Sequence, residues 1–286
     1  DIYAQWKNVL SSIYSKQLKN LDENNSYDLL EVEGTSNIHP VWSPSGDKFA
    51  FLSNKSNDYF GQTALYIYTF SDSTSNKIKG GIKSAPTWID ENRIIYSKKS
   101  KPNKNGSKFF DLYIYNLEEE EEERLTEDLR LFSPVYNKTN QKIYAVNTYD
   151  GSCNILMGDK DFSQFEQITN FENGLQIFSL SIKDSLLLFD AVENHERNIF
   201  YYDLNSNQIG LYDSNIWDAR DPSYYDNVEV YSNDKFGVFN LYLKSDDGNG
   251  YITNVAGGAF MPDISKKGEI LFSLYQNGGY KIALLQ

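Results

Sequence analysis

Hydrophobic and polar positions alternate with a period of two along most of the chain, in short segments separated by polar turns. In two of these segments, Phe49-Ala50-Phe51-Leu52 and Ala64-Leu65-Tyr66-Ile67-Tyr68, aromatic residues alternate with aliphatic ones. Asn, Asp, Gly, Ser and Lys fill the turns between them. This pattern predicts antiparallel β-hairpins, because helices would repeat their apolar positions every three to four residues.

The pattern itself recurs at intervals of about 40 to 48 residues, which is the period of a repeat protein. Each copy starts at a short anchor that usually contains Pro, and each holds three or four strand-like segments. The six anchors are His39-Pro40-Val41-Trp42, Ala85-Pro86-Thr87-Trp88, Ser133-Pro134-Val135-Tyr136, Phe178-Ser179-Leu180-Ser181, Asp221-Pro222-Ser223-Tyr224 and Met261-Pro262-Asp263-Ile264. We therefore expect repeat units that start near residues 38, 84, 132, 177, 220 and 260.

One such unit is a small sheet that cannot bury both of its apolar faces alone. Stacking the sheets about 10 Å apart in a ring gives each of them two neighbours. The chain is thus predicted to be all-β, a six-bladed β-propeller of four-stranded antiparallel blades that occupies residues 26–286 as one domain. The last copy is too short for a fourth strand, and the run 27–33 is predicted to supply it, closing the ring and covering a bare edge.

The first 25 residues depart from the alternating pattern and are predicted to form a short N-terminal helical arm. Trp6, Val9, Leu10, Ile13, Tyr14 and Leu18 recur there at helical spacing, and we expect the helix to end near Asn20. The favoured interpretation is a helix that packs across the rim of the propeller. The alternatives are the tail of a preceding domain or a helix that docks a partner.

Composition and charge narrow the range of partners. The formal net charge is −13, so the surface repels phosphate backbones and nucleic acid is not expected as a partner. No run of 18 or more apolar residues exists, which argues against direct membrane insertion by this segment. The start of the chain shows neither an initiator Met nor a signal segment, which suggests that it has been trimmed.

Residues that could carry chemistry are few. The chain has two histidines, His39 and His195, without metal-ligand spacing around either, and it has no GxSxG elbow. The lone Cys153 is interpreted as a small hydrophobe near a turn. We therefore predict no catalytic residue, no metal site and no cofactor, and leave open a channel Ca²⁺ ion held by carboxylates such as Asp221 or Asp263.

The acidic run 118–123 is interpreted as a solvated turn, with contact to a cation or a basic protein as the alternative.

Residues beside the anchors are the best candidates for binding, because the innermost strands begin at the mouth of the channel. The candidates for partner binding are His39, Trp42, Trp88, Arg130, Arg220 and Asp221. Trp42 and Trp88 have an alternative role in packing between blades. Arg130 and Arg220 could instead pair with carboxylates across the channel.

The repeat resembles a known family in the strings HPVWSPSGDKFAFLSN, APTWIDENRIIYS, DLYIYNLEEEEEERLTED and EVYSNDKFGVFNLYLKS. They are similar to the repeats of TolB-type six-bladed β-propellers, with a Pro-x-Trp-Ser-Pro-Asp-Gly start, an Ile/Leu-Tyr strand and a closing Leu-Thr. The match covers about residues 36 to 286. It is weakest in the fourth blade, where Ser179 and Ser181 replace the Pro and the aromatic residue, and Ser45 stands where the consensus has Asp.

The resemblance implies a bacterial cell-envelope protein, periplasmic or associated with the outer membrane, that acts by recognising protein. We therefore expect a non-catalytic module that binds a protein or peptide. The alternative is the propeller of a larger peptidase or hydrolase whose catalytic domain lies outside this chain, because similar propellers occur beside such domains. Possible flanking domains leave the enzymatic status of the whole protein open.

Overall fold

A computed structural model describes residues 1–19, 21, 26–57, 59, 61–149, 151–172, 174–213 and 217–286. It shows one helix, α1 (Ile2–Leu18), followed by strands arranged in six four-stranded antiparallel sheets. The predicted end of the helix at Asn20, and the link 22–25, lie outside the described residues. The predicted fold class, a six-bladed β-propeller with a short N-terminal helix, is confirmed.

The strands follow the chain blade by blade. Strand β1 (Tyr27–Glu31) precedes them. Blade one comprises β2 (Asn37–Trp42), β3 (Lys48–Ser53), β4 (Ala64–Thr69) and β5 (Thr74–Gly80). Blade two comprises β6 (Thr87–Trp88), β7 (Arg93–Lys99), β8 (Phe110–Asn116) and β9 (Glu121–Arg124). Blade three comprises β10 (Leu131–Asn137), β11 (Lys142–Asn147), β12 (Asn154–Gly158) and β13 (Phe165–Gln167).

The second half of the ring has the same order. Blade four comprises β14 (Gln176–Lys183), β15 (Leu186–Glu193), β16 (Glu196–Asp203) and β17 (Ile209–Asp213). Blade five comprises β18 (Ala219–Tyr225), β19 (Val228–Asn233), β20 (Asn240–Ser245) and β21 (Gly248–Tyr251). Blade six comprises β22 (Ala259–Ile264), β23 (Ile270–Gln276) and β24 (Gly279–Leu285), and β1 completes it.

The closing strand pairs with the end of the chain as the sequence predicts. Strand β1 is antiparallel to β24, with Tyr27 opposite Leu285 and Leu29 opposite Ala283. It ends at Glu31, two residues before the expected position. The reason is a turn in which Gly34 takes a φ of 76°, a conformation that glycine adopts easily.

Burial on both faces explains why successive positions of the central strands are apolar. In β3, Phe49 and Phe51 pack toward blade six, whereas Ala50 and Leu52 pack toward blade two, because successive side chains point to opposite faces. Buried apolar clusters of this kind join every pair of neighbouring blades. One of them joins Leu271 and Ile282 of blade six to Phe49 of blade one, so the core closes as the sheets do.

The closing Leu-Thr of the repeat has a structural role. In three blades the Thr hydroxyl accepts a hydrogen bond from a backbone N–H of the third strand and donates one to the Asp or Asn at the start of that strand. The sets are Thr126 with Leu112 and Asp111, Thr169 with Ile155 and Asn154, and Thr253 with Leu241 and Asn240. All of these polar groups are buried, so each set satisfies donors and acceptors that would otherwise be costly.

Two sequence-based interpretations need correction. The helix does not pack on the rim, because its apolar side chains are exposed, for example Ile2 at 85% and Trp6 at 56%. The acidic run 118–123 is only partly a solvated turn, since its second half belongs to β9. There Glu122 accepts hydrogen bonds from Lys98 Nζ and from the Tyr96 hydroxyl, both at 2.5 Å.

Candidate functional site

In five blades, all except blade two, the anchor of the repeat contains a β-bulge in the innermost strand. In β2, Ile38 faces Leu52 and Val41 faces Ala50, so one residue of the anchor is extra. The residue before Pro has a positive φ in four blades, at His39, Ser133, Asp221 and Met261. A bulge re-aims side chains next to it, and here it brings His39 and Asp221 into the wall of the channel.

The middle of the ring holds an open cavity, which we call the funnel. Its empty volume is about 1240 Å³. It extends from His39 and Asp221, near the starts of the inner strands, to Lys138 and Lys266 in the turns that follow those strands. Between these ends, the wall combines apolar side chains such as Val41 with hydroxyls.

The indole rings of Trp42 and Trp88 lie in the wall of the funnel, but their hydrogen bonds connect neighbouring blades. Trp42 and Trp88 are 7% and 5% exposed. Trp42 Nε1 donates to the backbone oxygen of Asp263 at 3.2 Å, and Trp88 Nε1 donates to that of Val41 at 3.1 Å. Each indole therefore ties its blade to the preceding one, which is the packing role named as an alternative.

A group of charged side chains stands at the inner end of the funnel. We call His39, Asp190, Arg197 and Asp221 the polar plug. Arg197 Nε donates to Asp190 Oδ2 at 2.5 Å, and Arg197 Nη2 lies 4.0 Å from Asp221 Oδ1. Asp190 is fully buried and also accepts the backbone N–H of Ser179 at 3.0 Å.

Burial controls protonation in the polar plug. Burial lowers the pKa of His39 to about 4, and the negative charge of Asp190 acts in the opposite direction. His39 is therefore neutral at neutral pH. Burial also raises the pKa of both Asp190 and Asp221, while the positive charge of Arg197 lowers them.

Three arginines, one of which is Arg197 of the polar plug, surround the end of the disc at which the inner strands begin. Arg130 directly precedes β10, and Arg220 is the second residue of β18. Arg197 is the second residue of β16, a third strand, which runs in the same direction as the inner strand of its blade. All three therefore lie at one end of the disc, opposite to Lys138 and Lys266. We call this end the arginine face.

Each guanidinium of the arginine face lies over an aromatic ring. The distances from Cζ to the ring centroid are 4.2 Å for Arg130 over Phe109, 4.2 Å for Arg197 over Phe178 and 3.9 Å for Arg220 over Phe239. A ring beneath a guanidinium fixes its plane without occupying its edge, and in Arg197 that edge binds Asp190. Nε of Arg130 and Nε of Arg220 are buried and have no protein partner.

Exposed aromatic side chains lie at the same end of the disc, Tyr149 and Phe178 beside the arginines and Phe236 beside Tyr251 of the outer strand. Tyr149 is 71% exposed, Phe236 70% and Phe178 44%. Further rings continue the surface across blades five and six, with Phe239 and Phe260 at 5.2 Å and Phe260 and Tyr280 at 5.9 Å between centroids. The arginine face thus combines fixed cations with accessible aromatic surface.

Asp263 is a separate titratable group in the funnel wall. Its Oδ2 accepts the backbone N–H of Trp42 at 2.7 Å, and its Oδ1 accepts the hydroxyl of Ser223 at 3.2 Å. Burial nevertheless raises the pKa of Asp263 to about 7. The folded protein therefore binds this proton at a pH where the unfolded chain, with an Asp pKa of about 3.9, has released it.

Replacing Asp263 with Asn is expected to remove one pH-dependent contribution to stability. Because the pKa is raised by folding, the wild type loses free energy of unfolding as the pH rises from about 4 to about 7, and the Asn variant would not. The stability of D263N relative to wild type should therefore increase over that range. Urea unfolding at a series of pH values measures it. A difference that does not change with pH would contradict the assignment.

The structure distributes the six candidate binding residues among three places. His39 and Asp221 lie in the polar plug, Arg130 and Arg220 on the arginine face, and the two indoles between blades. Arg220 also pairs with Asp218, at 3.2 Å, rather than across the channel. Sequence reasoning missed Asp190, Arg197 and Phe178, all in blade four, where the anchor lacks Pro.

Nothing in the described part of the chain gathers three metal-ligating side chains. Asp221 lies beside Arg197, whereas Asp263 accepts hydrogen bonds from Trp42 and Ser223. A Ca²⁺ ion in the channel thus remains a prediction. Cys153 is 3% exposed, and burial raises its pKa, as expected for a packing residue. Among the described residues, no helix is long and apolar enough to cross a membrane.

Comparisons with known proteins place the fold. No family model and no curated protein matches the chain. Among solved structures, TolB from Acinetobacter baumannii is 16% identical with a TM-score of 0.59, covering 87% of this chain and 54% of that protein. The chain thus spans about half of the length of that protein.

Propellers from enzymes are similar to the same degree. The β-propeller domain of the Trilobed protease from Pyrococcus furiosus is 14% identical, with a TM-score of 0.58, covering 87% of this chain and 81% of that one. Oligogalacturonate lyase from Vibrio parahaemolyticus is 11% identical, with a TM-score of 0.57, covering 92% and 94%. The chain therefore has a TolB-like six-bladed propeller fold, which proteins of different activities share.

Proposed function

We propose that this chain is a non-catalytic protein- or peptide-binding propeller module of a bacterial envelope protein, periplasmic or associated with the outer membrane. The observation that carries the proposal is the arginine face, where three guanidiniums are held on aromatic rings at one mouth of the ring. The resemblance of the repeat to TolB-type propellers, and the fold shared with TolB, support the envelope location.

The chemistry of the arginine face suits a protein partner. Arg and aromatic side chains supply most of the affinity at protein interfaces, and preorganised side chains lose little entropy on binding. Phe178, Phe236 and Tyr149 offer apolar anchors that are already exposed. In a chain of net charge −13, a cluster of arginines at one mouth directs acidic segments of a partner to that mouth.

A second function is supported by one comparison. The similar propeller of the Trilobed protease is a domain of a protease, and this chain could serve the same architectural role in a larger peptidase. In that case the binding surface would select substrates for a neighbouring catalytic domain. Peptidase activity of the full-length protein that is absent from the 286-residue chain would identify this arrangement.

Reversing the charge of Arg220 is expected to weaken partner binding at least tenfold, the effect of losing an interface hot spot. The partner would first be identified by cross-linking in an envelope extract, and its affinity then measured for wild type and Arg220→Glu. Lys267→Glu is the matched control, because Lys267 is exposed in a turn at the opposite end and undergoes the same charge change.

A second pair of variants tests the arginine face without breaking the ion pair between Arg220 and Asp218. Phe236→Ser removes an anchor that is 70% exposed on the arginine face, whereas Phe165→Ser removes one that is 50% exposed on the outer strand β13. Only the first should lower affinity. Equal affinity of Arg220→Glu and Phe236→Ser with their controls would exclude the arginine face as the binding surface.

A further inference from the structure

Helix α1 presents an uncovered apolar surface. Its side chains Ile2, Tyr3, Trp6, Val9, Ile13, Tyr14 and Leu18 are between 48% and 85% exposed. Soluble monomers rarely expose so continuous an apolar surface, and such surfaces mark a contact with another molecule. The propeller does not cover it, and its core is complete without it.

Seven apolar side chains occupy one side of the helix, and Leu18 lies outside it. Viewed down the helix axis at 100° per residue, seven apolar positions span an arc of about 140°, with Val9 at one border and Tyr14 at the other. They are Ile2, Tyr3, Trp6, Val9, Leu10, Ile13 and Tyr14. Ser11, Ser12 and Ser15 lie on the opposite side.

Charge is distributed in relation to that arc. Lys7 and Lys16 stand just outside its two borders, and Ile2–Leu18 contains no acidic residue. This is opposite in sign to the whole chain, whose net charge is −13. Lysines at the borders of an apolar face extend their ammonium groups away from it while their methylenes remain in contact. The complementary surface is therefore apolar with anionic groups along its edges.

An anionic lipid surface has that chemistry, and a second copy of the chain does not. A coiled coil between two copies of α1 would use Ile2, Trp6, Val9 and Ile13, but the next position of that repeat is Lys16. The helix is also not expected to dock on the arginine face of a second copy, because the cations that border that aromatic surface repel the lysines of α1. In a lipid headgroup layer, by contrast, Trp6, Tyr3 and Tyr14 are residue types that favour the interface.

We propose that α1 lies in the headgroup layer of an anionic lipid bilayer, with its apolar arc toward the acyl chains and Lys7 and Lys16 at the lipid phosphates. The helix lies parallel to the surface and does not cross it, since its 17 residues are too few and too polar. It would hold the propeller close to a membrane. This inference concerns a different surface from the arginine face and is independent of the proposed function.

Cosedimentation of the 286-residue chain with vesicles of phosphatidylglycerol and phosphatidylcholine tests the proposal. Trp6→Asp should lower the partition coefficient at least tenfold, because it places a charge in the middle of the apolar arc. Lys7→Gln with Lys16→Gln should lower it about tenfold or more, and so should vesicles of phosphatidylcholine alone, since each basic residue contributes about fivefold near an anionic surface. Tryptophan emission should shift to shorter wavelength with vesicles in the wild type and not in Trp6→Phe.

Matched controls separate α1 from general adhesion to lipid. Phe165→Asp removes an aromatic side chain of similar exposure from the outer strand β13, and Lys104→Gln with Lys160→Gln removes two exposed propeller lysines. Both should bind vesicles like the wild type. Wild-type chain that stays in the supernatant with anionic vesicles, or Trp6→Asp that still sediments with them, would overturn the proposal. Self-association that Trp6→Asp abolishes, without vesicle binding, would assign the surface to a second copy instead.

Discussion

A chain that starts at Thr35 is expected to lose at least about 4 kcal/mol of its free energy of unfolding, which corresponds to a fall of about 10 °C or more in Tm. The truncation removes β1 and opens the ring. Tyr27, whose ring meets that of Phe272 edge-on at 6.0 Å, and Leu30, which packs against the cluster between blades six and one, would both be lost. Burying a large apolar side chain contributes about 1.5–3 kcal/mol.

The loss also leaves polar groups without partners. Glu31 is 6% exposed and accepts Lys55 Nζ at 2.5 Å and the hydroxyl of Ser75 at 2.8 Å, so it joins β1 to blade one. Without it, Lys55 would lose the carboxylate with which it forms an ion pair. The exposed edge of β24 would in addition be free to pair with other chains.

A chain that starts at Ser26 is the matched control. It lacks α1 but keeps β1, and it should unfold at the wild-type temperature because the apolar side chains of α1 are exposed. Adding a peptide of residues 26–33 to the shorter chain should restore part of its stability, since that peptide can pair with β24. Equal unfolding temperatures for both truncated chains would show that β1 does not close the ring.

The fold was predictable because each blade repeats one physical requirement. A strand such as β3, apolar at both odd and even positions, must be buried on both faces, and only stacked sheets provide that environment. The missing fourth strand of the last blade then required a donor, and the run from Tyr27 was the one strand-like segment ahead of the first blade. Helical spacing in α1, by contrast, shows that one face is apolar without showing what covers it.

The site was predictable only in part, because its contacts join distant blades. The anchor position correctly indicated that His39 and Asp221 line the channel. No local pattern links His39 to Asp190, because Asp190 comes from the second strand of the fourth blade and is distant from His39 along the chain. The positions of the arginines are one signal that the sequence does offer. The chain has five arginines, and three of them lie at the starts of inner or third strands. Strands that run in the same direction bring such positions to one end of the disc.

Replacing Arg197 with Met is expected to cost about 3–5 kcal/mol of the free energy of unfolding at neutral pH. Asp190 is fully buried, and Arg197 is its charged partner. Removing one member of a buried pair leaves the other charge without compensation in a medium of low polarity. Asp221, within 4.0 Å of the same guanidinium, would lose a favourable interaction as well. Urea unfolding of both proteins measures the loss.

The cost should depend on pH in a defined direction. Burial raises the pKa of Asp190, and Arg197 opposes that increase, so its removal raises the pKa further. A carboxyl whose pKa is raised by folding gains a proton in the folded state before the unfolded chain does, and the protonated group carries no buried charge. The stability difference between R197M and wild type should therefore be largest near about pH 8 and smaller near about pH 5.

Two comparisons separate this effect from general loss of packing. Adding Asp190→Asn to Arg197→Met should recover most of the lost stability, because the uncompensated charge is then absent. Arg93→Met breaks an ion pair of similar geometry, Arg93 Nη2 to Asp90 Oδ2 at 2.6 Å, but both side chains are 43% exposed, so it should cost no more than about 1 kcal/mol. If Arg197→Met were as mild as Arg93→Met, the polar plug would not be a buried charge network.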